Sequence, residues 1–255
     1  MLVVVPVDPP REELVLPSLV ENAPLSATEA CRLYEASVVD VLRAVASSGG
    51  ELLVNYRDAE TLPDDVASGD PEDEVRNFAT DALGIPAESA NEADTDSIRF
   101  ERQVGSSHSA RVGNTVTHLL ERENVESVGV LEPTAALVRR TELDGAAMSS
   151  RRKDVVLGPS SDGSTYLTAF REPIDFTDAY AGAELSTLAE RARNAGLEVG
   201  FAPMLPTIAT PAGLRSTVSL LEARRHAGTL RAEATATVVD DLGLSVGADG
   251  SLERA

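Results

Sequence analysis

The chain has 255 residues, 42% hydrophobic and 4% aromatic, with no tryptophan. That suits one large α/β domain or two small ones, with a sizeable core made mostly of Leu, Val and Ala, and it excludes wholesale disorder. A formal net charge of −20 argues against nucleic acid, whose binders cluster positive charge, and against anionic membrane surfaces.

In chain order, residues 2–7 are a continuous apolar, β-branched run, the pattern of a strand buried on both faces. Asp8-Pro9-Pro10-Arg11 ends it, and an acidic, proline-broken loop is expected to run to Leu25. Ser26 to Glu29 is a capping-box pattern. Ala30, Leu33, Tyr34, Val38, Val41, Leu42 and Val45 follow at helical spacing until Gly49-Gly50, and residues 52–56 read as the second strand. This β-loop-α-β unit seeds a parallel sheet. Residues 57–74 and 88–96 read as acidic loops, 75–83 and 112–121 as helices, and 98–101 and 125–131 as strands. Residues 135–148 read as a crossover helix. Further on, helices are expected at 185–195, from Thr210-Pro211 to His226, and at 232–242, with a strand at 198–202 and a loose tail at 245–255. The β/α alternation is unbroken by any linker. It predicts one domain over 1–244, a three-layer α/β/α sandwich with a mostly parallel sheet.

The most informative stretch is DVVLGPSSDGSTYLTAF, from Asp154 to Phe170. An apolar strand reaches Gly158-Pro159, and a loop of small residues centred on Asp162-Gly163 leads into a second β-prone segment. That places a carboxylate, hydroxyls and a φ-permissive glycine at a strand's carboxyl end, where open α/β sheets bind ligands.

Cys31 stands alone, so no intrachain disulfide or Cys/His zinc spacing exists; inside a helical pattern it reads as a small buried hydrophobe. No window approaches eighteen apolar residues, so membrane insertion is not expected. The N-terminus lacks a basic n-region and reaches Asp8 early, which suits a first strand and a cytoplasmic protein.

Taken together, the motifs resemble those of the GT-A-fold nucleotide-diphospho-sugar transferases, and within them small glycosyltransferase-like proteins related to molybdenum-cofactor and phospholactate guanylyltransferases. Their GP-x-x-DGG-x-x-L pattern is matched by Gly158, Pro159, Asp162, Gly163 and Leu167, with Ser164 replacing the second glycine. The helix bearing Tyr34, Glu35 and Asp40 also fits, as does the strand end at residues 128–133. The resemblance implies an NTP or nucleotide sugar held by Val7, Asp8, Pro9, Arg11, Gly158, Pro159, Asp162 and Gly163, with Mg²⁺ or Mn²⁺ on Glu132 and Asp162. It also leaves room for a homo-oligomer. Several family features differ here. The loop after the first strand offers only Arg11 among Glu12, Glu13 and Glu21. Glu132 stands in for an aspartate, and Ala209 and Gly213 replace two later acids.

Each site residue has an ordinary alternative. Asp162-Gly163 is common turn chemistry. Glu132 before Pro133 suits a helix N-terminus. Arg11 suits a partner in Glu12 or Glu13, and Asp8 suits a turn. Gly105 to Ser109 is not a nucleophile elbow, because His108 stands where the nucleophile belongs; it reads as a flexible small-residue loop. The function expected is a divergent nucleotidyl- or glycosyltransferase. The alternative is a binding or assembly module of the same fold that has lost its chemistry.

Lys153 is the only lysine, and an acidic chain stripped of lysine resembles an extreme halophile's proteome. Exposed carboxylates then keep the chain hydrated under heavy screening and repel one another when screening is removed. The expected result is a thermal midpoint that falls as salt is withdrawn; equal stability in dilute buffer would refute it.

Overall fold

The computed structural model describes residues 1–85 and 98–254. The acidic loop expected at 88–96 lies outside the described residues. Seven strands form one sheet: β1 (Leu2–Val7), β2 (Glu51–Tyr56), β3 (Ile98–Arg102), β4 (Val128–Leu131), β5 (Val155–Pro159), β6 (Thr165–Phe170) and β7 (Val199–Phe201), in the order β3-β2-β1-β4-β6-β5-β7. All neighbours are parallel except β6, which runs against both β4 and β5. This is the mostly parallel α/β sheet expected from the alternation.

Strand periodicity divides the core between the two sheet faces. Val3, Val5 and Val7 face the helices α2 (Ala27–Ala46), α3 (Pro71–Leu83), α5 (Arg140–Ser150), α7 (Pro211–His226) and α8 (Glu233–Asp241). Leu2 and Val4 face α4 (His108–Glu121) and α6 (Glu184–Asn194) through Val112, Val116, Leu188 and Ala192.

Where local signals are strong, the elements match them. The capping box of α2 is closed in both directions, by Ser26 Oγ accepting from Glu29 N–H and by the Glu29 carboxylate accepting from Ser26 N–H at 2.9 Å. Thr210 Oγ1 accepts from Gly213 N–H at 3.1 Å and starts α7, with Pro211 at its first position. Cys31 is free and buried in α2.

Four expectations need correction. The loop before Leu25 contains a short helix, α1 (Pro17–Asn22). The loop expected at 105–109 ends at Ser107, which accepts from Ala110 N–H at 3.2 Å, and His108 is the first residue of α4. The helix expected at 135–148 begins only at Arg140. The buried residues Ala135 to Leu137 precede it as turns, because the carbonyls that a helix would use internally are taken from elsewhere. Thr134 O accepts from Ile208 N–H at 2.9 Å and Leu137 O from Arg224 at 3.2 Å. The C-terminal residues are not a loose tail but a hairpin, β8 (Leu244–Val246) and β9 (Leu252–Arg254). The Asp249 carboxylate accepts from Ser251 N–H at 2.9 Å in its turn, and Arg254 pairs with Glu29 at 2.8 Å.

Gly213 and Gly158 are among the glycines fixed by close approach. A Cβ on Gly213 would lie 2.0 Å from the Thr207 carbonyl oxygen, and one on Gly158 would lie 2.7 Å from the Tyr166 ring. Gly213→Ala sets backbone against backbone and is expected to destabilise the fold by roughly 2–4 kcal/mol, read as a lower denaturant midpoint at unchanged slope. Gly145→Ala, with open space around it, should be neutral or stabilising.

Candidate functional site

The strand order brings three loop starts together. β1 pairs with β2 on one side and β4 on the other, so Asp8, Arg57 and Glu132, the residues just past those strands, share the carboxyl edge. β6 enters the sheet beside β4, with Glu132 N–H donating to Tyr166 O at 2.9 Å. The turn at residues 160–164 therefore opens on this same edge.

Asp8 is held from two sides. Its backbone N–H donates to Tyr34 Oη of α2 at 3.0 Å, and its carboxylate lies 3.7 Å from Arg57 Nε. Arg57 also donates to the Thr61 carbonyl, yet its buried Nε has no hydrogen-bond partner among the described residues. α4 sends in Arg111, whose Nε donates to Gln103 Oε1 at 2.7 Å. Gln103 in turn donates to Asn55 O at 2.7 Å. That relay through β2 fixes the guanidinium. Burial raises the Asp8 carboxyl from its ordinary value, and the opposing pull of Arg57 and Arg111 does not cancel it.

Glu132 faces His108, with Oε1 3.8 Å from Nε2 and about a quarter of the glutamate side chain (24%) exposed. The imidazole meets Tyr180 edge-on at 5.1 Å, and Tyr180 Oη lies 2.9 Å from Thr168 Oγ1. Glu184, the first residue of α6, accepts from Thr165 N–H at 3.0 Å. Burial and the neighbouring carboxylates of Glu184 and Asp8 push Glu132 up to about 8. Burial and the cations Arg111 and Arg57 pull His108 down to about 4. These shifts favour a protonated Glu132 and a neutral His108 at neutral pH, beside Arg57, Arg111, Asp8 and Glu184.

The residues expected at the site divide into two groups. Asp8 and Glu132 lie in this cleft. Val7 is fully buried in the core, and Pro9 uses its carbonyl to accept Arg11 N–H at 2.8 Å. Arg11 is turned away: it pairs with Glu74 of α3 at 2.6 Å and donates to the Val66 carbonyl, not to Glu12 or Glu13. Gly158 and Pro159 close β5, the glycine making room for Tyr166. Asp162 and Gly163 form the turn, with φ of 60° and 77°, and the Asp162 carboxylate accepts from Thr210 Oγ1 at 3.2 Å. The carboxylates acting on Glu132 are Glu184 and Asp8; Asp162 is not one of them. At Gly213, where the resemblance expects an acid, the Thr207 carbonyl leaves no room for any side chain.

Sequence reasoning missed Arg57, Arg111, Tyr180 and Glu184, and it set His108 aside. One signal was available: Arg57 follows β2 as Asp8 follows β1. Arg111, one turn into a helix, carried none.

Among the described residues, no three His, Cys, Asp or Glu side chains gather as a cation cage, and no helix is long and apolar enough to cross a membrane. No protein-family model matches the chain, and no curated protein matches it. Solved structures do. A candidate nucleotide-diphospho-sugar transferase from Desulfovibrio desulfuricans G20 superposes with a TM-score of 0.70 at 20% identity, covering 94% of this chain and 93% of that one. More distant are a CMP:2-keto-3-deoxy-manno-octonic acid synthetase complexed with CTP (TM-score 0.47, 13% identity, 88% and 98% covered) and a cytidylyltransferase from Leptospira borgpetersenii serovar Hardjo-bovis strain JB197 (0.47, 10%, 94% and 93%). The chain has the fold of the nucleotide-diphospho-sugar transferases, a mostly parallel seven-stranded sheet flanked by helices.

Proposed function

We propose that this protein binds an NTP or nucleotide sugar across the carboxyl ends of β1, β2 and β4 and acts as a nucleotidyl- or glycosyltransferase. The observation that carries this is the convergence of Arg57 and Arg111 on Asp8. It gives the cleft the phosphate-binding charge that the acidic first loop lacks. Guanidiniums bind phosphate through paired, charge-assisted hydrogen bonds. Asp8, held in place by Tyr34, can accept from a ribose or sugar hydroxyl. His108 presents a neutral imidazole able to exchange a hydrogen bond with a substrate hydroxyl.

Mg²⁺ or Mn²⁺ fits Glu132. Magnesium sites commonly use one or two protein carboxylates and fill the remaining positions with phosphates and water. The carboxylates of Asp8 and Glu184 already raise the Glu132 pKa, a repulsion that a divalent cation relieves. When bound, the ion would neutralise phosphate charge. Asp162, engaged with Thr210 on the rim, is the weaker of the two proposed ligands.

A second reading, a non-catalytic binding module, is favoured by the commitment of Arg11 to Glu74 and the closure of position 213 to any acid. One experiment separates the two: calorimetric titration of an NTP and nucleotide-sugar panel with and without Mg²⁺ or Mn²⁺, followed by an assay for released pyrophosphate or nucleoside diphosphate. Metal-dependent binding with release supports the transferase, and binding without release supports the module. No binding by any nucleotide overturns the transferase and supports the module.

A further inference from the structure

A cavity of about 550 Å³ is lined by none of the residues of the candidate site. Its walls come from the second half of α2, the segment leading into α5 and the start of α8. Twelve residues line it, and four of them, Arg43, Arg139, Arg140 and Arg231, belong to the 22 basic residues of a chain with 42 acidic ones. Such concentration runs against the charge of the molecule as a whole.

The state of those arginines matters more than their number. Arg139 pairs with Glu142, and Arg140 with Asp144 at 2.8 Å. Arg43 uses only Nε, donating to the Ala82 carbonyl at 2.9 Å, which leaves the outer face of its guanidinium available. Arg231 is exposed, with no ion-pair or hydrogen-bond partner among the described residues. Behind them the half-buried Arg224 is lowered from its ordinary value by burial and by the charge of Arg139. Of the two lining acids, Asp40 is already used: its carboxylate accepts the Ala234 and Thr235 N–H groups at 3.2 and 2.8 Å and so caps α8. Glu233 is the other. Between the arginines the floor is small and apolar, formed by Ala44, Ala136, Val138 and Ala232. Like charges packed around a concave floor repel one another, and an anion seated among them relieves that repulsion.

We propose that this cavity is a second binding site, for a small polyanion carrying phosphate groups, gripped by Arg43 and Arg231 and flanked by Arg139 and Arg140. Its volume is in the range that small-molecule sites occupy. Arg43 and Arg231, the two lining arginines without an ion pair among the described residues, suit a compact ligand with two negative charges. Helix α2, which supplies Arg43, also carries Tyr34 beneath Asp8 and Ser37, whose hydroxyl donates to the Pro133 carbonyl at 2.8 Å. An occupant of the cavity would therefore touch the helix that braces the cleft.

The test is titration of the full chain with inorganic pyrophosphate at constant ionic strength, observed through the arginine Nε–H NMR signals. The expected result is saturable movement of the Arg43 and Arg231 signals together. Arg231→Gln should weaken the affinity read at Arg43 by about tenfold, the loss of one charge-assisted contact. Arg151→Gln, at an exposed position outside the cavity lining, should leave it unchanged. Signals that stay still, that move equally with chloride, or that titrate identically in Arg231→Gln overturn the proposal. Because binding is read at Arg43 itself, the outcome does not depend on whether the cleft takes nucleotide.

Discussion

Arg57→Gln and Arg111→Gln should each weaken nucleotide binding by about ten- to a hundredfold, the loss of one charge-assisted contact to phosphate at about 1.5–3 kcal/mol. The double variant should lose less than the sum, because the two guanidiniums act on the same carboxylate of Asp8. Affinity in the wild type should also fall with ionic strength, since the cleft is partly open. Arg11→Gln is the informative control. Arg11 is the cation that the sequence offers for phosphate, yet it bridges the first loop to Glu74. Its replacement should leave nucleotide affinity unchanged and cost about 1 kcal/mol of stability, as a partly exposed ion pair does. Calorimetry on the four variants decides the matter. If Arg11→Gln abolishes binding while Arg57→Gln and Arg111→Gln do not, the cleft has been assigned to the wrong cations.

Glu132→Gln should remove metal-dependent binding altogether and, with it, a pH dependence. A cation binds the ionised carboxylate, and Glu132 is held protonated up to about pH 8. Below that value Mn²⁺ must displace a proton, so its apparent affinity should climb about tenfold per pH unit and level off above pH 8. Glu132→Gln should show no metal-dependent binding at any pH in this range, and a flat wild-type profile between pH 6 and 8 would refute the assignment. Metal-free stability carries the opposite sign. The folded pKa lies above the ordinary 4.5, so the stabilisation is complete at low pH. It is lost as the pH rises from about 4.5 to about 8, where the unfolded chain ionises and the folded one resists. In metal-free buffer at pH 8, Glu132→Gln should therefore melt higher than the wild type.

Residues 1–56 were read almost as they fold, because their signals are short in range. A β-branched run, a capping box at Ser26 and paired glycines each act within a few residues. The same holds for Thr210-Pro211 at the start of α7 and for the Asp162-Gly163 turn. Residues 135–139 misled because their apolar spacing suits a helix, while Ile208 and Arg224 claim the Thr134 and Leu137 carbonyls from far along the chain. The closing hairpin was missed although Asp249-Gly250 marks its turn.

By itself the sequence determined the α/β alternation, the mostly parallel sheet, the net negative charge and the position of the Asp162-Gly163 turn at a strand's carboxyl end. All of these follow from periodicity, capping and composition, which act locally or on average. Only the tertiary structure decided which charges meet. That Arg57 and Arg111 converge on Asp8, that Glu184 crowds Glu132, and that Arg11 turns to Glu74 all depend on strand order. That order sets β1 between β2 and β4. A charged side chain takes its partner from whichever strand end or helix the sheet places beside it, and no spacing along the chain encodes that neighbour.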